Sequence, residues 1–462
     1  MTVRLGQPLA ATGAALVLGF LVSTSSHLAA AFVVGVLGLA ALGAPASAWL
    51  AAALVATLTF KGLGTIGVLP SVATFADMFL VWGALASAGL RRRRLPATAA
   101  WPVRLLVALG LSMAVSGAFN DTELLRPVVY LMLLATPFVA ATALLVDPPD
   151  LRGRRSLNRV LLVLLAVQVP LAYWQALTNE NKDRVEGTLI GAGAGAHVMS
   201  AVAVVGAIWV LAAAPLRARA RVPLAAALLV IPFLADAKQV ILASPAMLLA
   251  GNWRNTREAF LRVGAVALAV LVLLTVIPAG QNATGFLEQA REGRGGKQAA
   301  TTVVWSTLRA DPVSMTVGVG PAMSISRAAF MTTPDFVDTD SPLHVLGLRP
   351  AELAPEVQAR AEEVSGGYTS FDTGLSSALG VLGDIGVLGA AVYVALLGWF
   401  FVALRRSRSP EAVPATCGLA LFAVLGLVFD WWEQPPFGIL VGVLAGLALA
   451  PRARAEAGSA RR

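Results

Sequence analysis

Long apolar runs recur along the whole chain, and they limit the possible folds more than any other feature. A helix needs roughly 20 apolar residues to cross about 30 Å of hydrocarbon. Runs near 72–89, 103–119, 128–146, 160–177, 196–214 and 378–404 meet or approach that length. With 57% of 462 residues hydrophobic and 13% charged, the chain is too apolar for a water-soluble protein of this size. Lipid offers no partner to a backbone N–H or C=O, so each span must satisfy its own backbone groups. The expected fold is therefore an all-α polytopic membrane protein. About 12 full spans are expected, the remaining six near 8–22, 28–43, 46–60, 263–279, 415–430 and 437–450. The first run, Pro8 to Val22, has only Arg4 before it and is read as a span, not a signal peptide.

Charge sets the expected orientation. Basic clusters stand at RRRR (91–94), RGRR (152–155), RARAR (217–221), WRNTR (253–257), RRSR (405–408) and in the tail after residue 451. Placing them in the cytoplasm, together with Arg4, Arg104, Arg159 and Arg262, gathers 23 of the 35 Lys+Arg there but few of the 26 acids. The spans then alternate, with both termini cytoplasmic. On this reading the pI of about 10.5 reflects orientation in a lipid bilayer and requires no nucleic acid.

One stretch breaks the rhythm. In FLADAKQVILASP (233–245), Asp236 and Lys238 interrupt an apolar segment flanked on both sides by basic clusters. A single crossing would reverse every later loop, while two full crossings need about 40 residues. The segment 222–251 is therefore expected to be a hairpin of two short helices, broken near Asp236. Facing lipid, each charge would cost about 2.5–3.5 kcal/mol, so the break should be buried in protein or line a wet cavity. The pair either pins the hairpin or faces an outward-open cavity.

Between the bundle (1–279) and the last spans (375–450) lies the only large polar segment, 280–374, expected outside as a structured domain; 451–462 is a basic tail. The segment holds an expected helix at 300–311, the glycine-rich turn VGVGPAM (317–323) and a second amphipathic helix at 350–367. Its acids Asp335, Asp338 and Asp340 precede His344 but lack calcium-loop spacing, and the three histidines show no zinc pattern. The single Cys417 excludes an internal disulfide and a CxxC pair. Without a phosphate-binding glycine loop or a dinucleotide fingerprint, no metal or other cofactor is expected.

Arg126 in NDTELLRPVVYL opens a span at its outer end, and Arg184 in NKDRVEGTLIGAGAGAH precedes another. With Lys238 they would form a cationic rim. Each also fits a snorkelling interface residue. Three such cations suit an anion at the membrane surface, since each cation about 4 Å from a phosphate gives roughly 4 kcal/mol at an effective dielectric of 20.

The order of these features resembles the O-antigen ligase and polymerase superfamily of bacterial envelope glycosyltransferases. The resemblance runs from about residue 120 onward. It rests on Arg126-Pro, RVEGTLIGAGAG (184–195), the polar hairpin at DAKQ, a large outer loop with VGVGP, and TGLSSALGVLGDIGVLGAAVY (373–393). In that last motif Ser376 and Gly386-Val-Leu-Gly389 match the family pattern, and Asp384 stands where an acid is common. Leu375 occupies the usual histidine position, and Lys238-Gln239 replaces a common Ser-Arg.

The resemblance implies a metal-independent glycosyltransferase at the outer face of the cytoplasmic membrane. Its donor would be a lipid-diphosphate-linked glycan, such as an undecaprenyl diphosphate sugar, and its acceptor a glycan or lipid hydroxyl. Arg126, Arg184 and Lys238 would hold the diphosphate, with Asp236, Gln239 and Ser376 in support. Leucine cannot accept a proton, so Asp372 and Asp384 are the candidate bases. A transporter or flippase-like protein is the alternative, because broken helices with a buried charge pair also occur there. The asymmetric outer loop and the absence of a halved repeat favour the enzyme. Leu375 also leaves open a catalytically silent relative acting as an assembly partner.

Overall fold

The computed structural model describes residues 43–59, 70–92, 94–123, 125–189, 195–251, 296–330, 350–364 and 376–451. The spans expected at 8–22, 28–43 and 263–279 lie outside the described residues, as do Asp372, Leu375, the acids of 335–340 and His344. All regular structure among the described residues is helical. The membrane part comprises α1 (Ala46–Thr59), α2 (Pro70–Arg91), α3 (Ala97–Phe119), α4 (Leu125–Val146), α5 (Leu151–Thr178), α6 (Gly195–Ala212), α7 (Ala218–Leu234) and α8 (Lys238–Gly251). The polar segment contributes α9 (Gly296–Ala310), α10 (Pro312–Val317), α11 (Arg327–Phe330) and α12 (Ala354–Val364). Then follow α13 (Ser377–Arg406), α14 (Ala412–Val428) and α15 (Pro435–Leu449). Five of these, α3, α4, α5, α6 and α13, are long and apolar enough to cross a membrane. The chain is a helical membrane protein.

Burial sorts the spans. In its most apolar stretch α4 is 89% buried and α6 78%, whereas α5 and α13 are each 28% buried. The first two are therefore central, and the last two turn apolar side chains such as Val163, Trp174 and Val394 outward. Helix α15 packs along α4 through a stripe of glycines at every fourth residue. A Cβ on Gly442 would lie 2.2 Å from the Pro137 carbonyl oxygen, and one on Gly446 2.7 Å from the Leu144 side chain. Small residues at this spacing let two backbones approach closely, which lipid-embedded packing rewards.

The two ends of the bundle differ. At one end Asp147 pairs with Arg91 at 3.4 Å and Arg92 at 3.1 Å, and Arg154 pairs with Glu411 at 3.2 Å. Arg154 also donates to the Leu447 carbonyl, and Ser407 to that of Ala448. Three basic clusters that the charge pattern assigns to one side thus share one end of the molecule. The opposite end carries the polar cap. There α9 packs on α12 and α13, with Val303, Val304, Leu308, Ile325, Phe330 and Val357 forming a second small core. Helix α9 is already formed at Gly296, ahead of the expected 300. Helix α12 begins at Ala354, not 350, because Pro355 fits a first turn while the Glu352 and Leu353 N–H groups are taken by the Met323 carbonyl.

The segment 218–251 forms two helices, α7 and α8, of 17 and 14 residues. At 1.5 Å per residue α7 reaches about 25 Å, short of a full crossing, and the described part of α8 about 21 Å. The chain breaks at Ala235–Ala237, where Asp236 adopts a positive φ of 47°.

Candidate functional site

At the capped end, α13 kinks at Gly386, whose φ of 64° and ψ of −171° lie outside helical space. The VGVGPAM turn docks on this kink. Val319 N–H donates to the Gly383 carbonyl (2.8 Å) and Gly320 N–H to that of Asp384 (3.2 Å). The Ser116 hydroxyl of α3 donates to the same Asp384 carbonyl at 2.8 Å. A Cβ on Gly386 would lie 2.3 Å from the Thr316 carbonyl oxygen, and one on Gly318 2.4 Å from the Asp384 backbone. The glycine pair Gly386-Val-Leu-Gly389 therefore begins with a residue that admits the end of α10 and the turn that follows it.

The Asp384 side chain is buried beneath this turn. One carboxylate oxygen accepts Met323 N–H at 2.9 Å and Ser324 N–H at 2.6 Å. Arg126, also fully buried, pairs with Glu123 at 2.7 Å and donates to the Ala322 carbonyl at 2.9 Å. Both residues thus grip the backbone of 322–324. Ser376 caps α13, accepting Leu379 N–H and donating to the Leu427 carbonyl.

A short connector between α14 and α15, Phe429 to Gln434, meets the same loop from the other side. Glu433 is fully buried and accepts Ala328 N–H at 3.0 Å. Burial pushes its carboxyl up to about 8, opposed by that N–H and reinforced by the charges of Asp384 and Asp430. Asp430 pairs with Arg327 at 2.6 Å and accepts from Gln434 at 3.0 Å. Lys297, at the start of α9, lies 5.1 Å above the Phe429 ring. Burial draws its ammonium down to about 7, and Asp430 opposes this.

The hairpin reaches the connector too. Lys238 pairs with Asp236 at 2.9 Å, each side chain about a quarter exposed (24% and 30%). The next residue, Gln239, is buried and accepts a hydrogen bond from the Trp431 indole at 3.1 Å. Arg184 lies apart, exposed on a single 3-10 turn, Lys182–Arg184, between α5 and α6. The three cations expected to form one rim are therefore in three settings: Arg126 buried in the cap's foundation, Lys238 at the hairpin break, Arg184 on the surface.

Sequence reasoning passed over the connector. Its signal was FDWWEQPP (429–436), with two acids and two tryptophans between two apolar spans. Tyr130 and Tyr393, two of only 4 tyrosines, were equally legible as polar tips placed inside spans. What the arrangement offers chemically is a pair of partly exposed cations, Lys297 and Arg327, beside a buried floor of carboxylates and phenols, with Lys238 at the hairpin break next to Gln239. No protein-family model matches the chain, and no curated protein matches it.

Proposed function

We propose that the chain is a membrane glycosyltransferase of the O-antigen ligase and polymerase type, with about 12 spans and its cap on the outer face of the cytoplasmic membrane. The observation that carries this reading is the convergence of three cation-bearing elements, α8, α9 and the 317–330 loop, on the connector. Gln239, beside Lys238, bonds Trp431; Arg327 bonds Asp430; Lys297 covers Phe429. A lipid diphosphate whose tail lies among the spans would place its charge among such cations.

In this mechanism an acceptor hydroxyl attacks the anomeric carbon of the donor glycan and the lipid diphosphate leaves. Lys238, Lys297 and Arg327 stabilise the negative charge that develops on the departing oxygen. Arg184 guides headgroups from the exposed surface. Arg126 acts earlier, by fixing the loop that carries Arg327. Of the two candidate bases, Asp384 is occupied in holding Met323 and Ser324 N–H, so Asp372 takes the proton of the acceptor.

The test uses purified protein in proteoliposomes with an undecaprenyl-diphosphate oligosaccharide and a hydroxyl acceptor. Release of lipid diphosphate, lost in Lys238→Ala and Arg327→Ala, is the expected result. Movement of the intact donor across the bilayer without release would replace this reading with a transporter.

A further inference from the structure

Beneath the docked loop four buried polar atoms lack a well-formed hydrogen bond: the Tyr130 hydroxyl of α4, which reaches towards the Asp384 carboxyl, Asp384 Oδ2 and the Tyr393 hydroxyl of α13, and Glu433 Oε1 of the connector. All four residues are fully buried. They face one another: Tyr130 interacts electrostatically with Asp384, Glu433 and Tyr393, and Tyr393 with Glu433. Tyr130 sits five residues into α4, about 8 Å along the axis from its capped end. The cluster is therefore sunk within the bundle, beneath 317–330.

Charge accounting makes this cluster unusual. The other ions that border it are matched, Arg126 to Glu123 and Arg327 to Asp430, with Lys297 also acting on Asp430. Asp384 and Glu433 have no ion-pair partner among the described residues; backbone N–H groups hold one oxygen of each, and the Ser324 and Ser326 hydroxyls also act on Asp384, but none of these brings a full charge. Two phenol hydroxyls can donate to the remaining oxygens but bring no charge either. A buried ionised carboxylate without a compensating cation is strongly disfavoured. Among the described residues no side chain supplies the missing positive charge.

We propose that Tyr130, Asp384, Tyr393 and Glu433 enclose a buried site for one exchangeable positive charge, a sodium ion or a proton, whose presence seats the 317–330 loop in the bundle. The donor set is all oxygen, which suits a hard cation. Asp430, the third acid beside Glu433, is held by Arg327, and the two remaining carboxylates are too few for a divalent ion, in keeping with the absence of any such cluster among the described residues. The coupling to the loop is direct. The second oxygen of Asp384 holds Met323 and Ser324, and that of Glu433 holds Ala328, so uncompensated charge on either would loosen the loop's anchors. This holds whichever group the protein transfers.

The experiment follows thermal unfolding of the detergent-purified full chain in sodium chloride against choline chloride at constant ionic strength, from pH 5 to 9. A saturable rise in the unfolding midpoint with sodium at pH 9, where Glu433 is ionised, identifies sodium. No sodium effect, but a midpoint that falls as pH rises towards 8, identifies the proton. In either case Glu433→Gln must abolish the sodium response or the fall on the acid side, leaving only the rise that Lys297 gives above pH 7, and the milder Tyr393→Phe must weaken the response at least several-fold in apparent affinity or flatten its acid limb. Glu356→Gln, on the exposed face of α12, must leave it unchanged. If the wild type responds to neither ion, or the Glu433→Gln protein responds equally, the phenols alone satisfy the carboxylates and the site does not exist.

Discussion

Gly318 and Gly386 meet backbone to backbone: a Cβ on Gly386 would lie 2.6 Å from the Gly318 nitrogen, and both residues have positive φ. The cap and the kink of α13 interlock only because neither carries a side chain. Gly386→Ala or Gly318→Ala should destabilise the protein by about 2–4 kcal/mol, combining strain of about 1–3 kcal/mol with displacement of the loop. Thermal unfolding in detergent measures this. Gly398→Ala, in the same helix with open space around it, should be silent.

Arg126 should behave as a foundation. With its guanidinium buried on Glu123 and the Ala322 carbonyl, Arg126→Ala should lower both membrane abundance and stability, by about 3 kcal/mol, as expected for a broken buried pair. Lysine should restore little, because a point charge cannot serve two partners in a fixed plane. Arg184→Ala should leave abundance near wild type, since Arg184 is exposed. Equal abundance of the Arg126→Ala and Arg184→Ala proteins would contradict the structure.

The pair at the hairpin break separates a chemical from a purely structural role. Lys238→Ala should abolish lipid-diphosphate release, and Asp236→Asn should mainly raise the KM for the donor. If the pair only pins the break, the double Ala variant, which removes both charges, should regain activity lost in the single Lys238→Ala. Partial exposure of both side chains, 24% and 30%, makes folding tolerant of the double change, so its activity is measurable.

Two shifted groups give stability a defined pH profile. Glu433 is raised to about 8, so the stability from its neutral form is full below the ordinary carboxyl value and lost as pH climbs through about 8. Lys297 is lowered to about 7, so the cost of burying its charge is full below that value and relieved towards pH 10. Stability should therefore pass through a minimum near pH 7–8. Glu433→Gln should remove the acid limb and Lys297→Met the alkaline one, as read from unfolding midpoints.

The sequence determined the parts that depend on local solvation and backbone rules. Apolar run length implied a helical membrane protein. The shortage of residues around Asp236 implied two short helices, and the amphipathic pattern near 300–311 and 350–367 implied helices in the cap. Each follows from neighbours a few residues apart, where hydrophobic period and turn chemistry act directly. Only the tertiary structure decided which polar groups meet. Asp384 holds Ser324 across 60 positions, and Glu433 holds Ala328 across 105. Nothing local marks such pairs, because a carboxylate in an apolar run has the same local pattern whether it grips a distant N–H, faces a substrate or waits for a cation. The connector is the clearest case. Helix α15 has 15 residues, about 22 Å at 1.5 Å per residue, against about 33 Å for the 22 of α4 beside it. That difference in length, invisible until the two helices are paired, is what lets a polar loop sink into the bundle and bury Glu433.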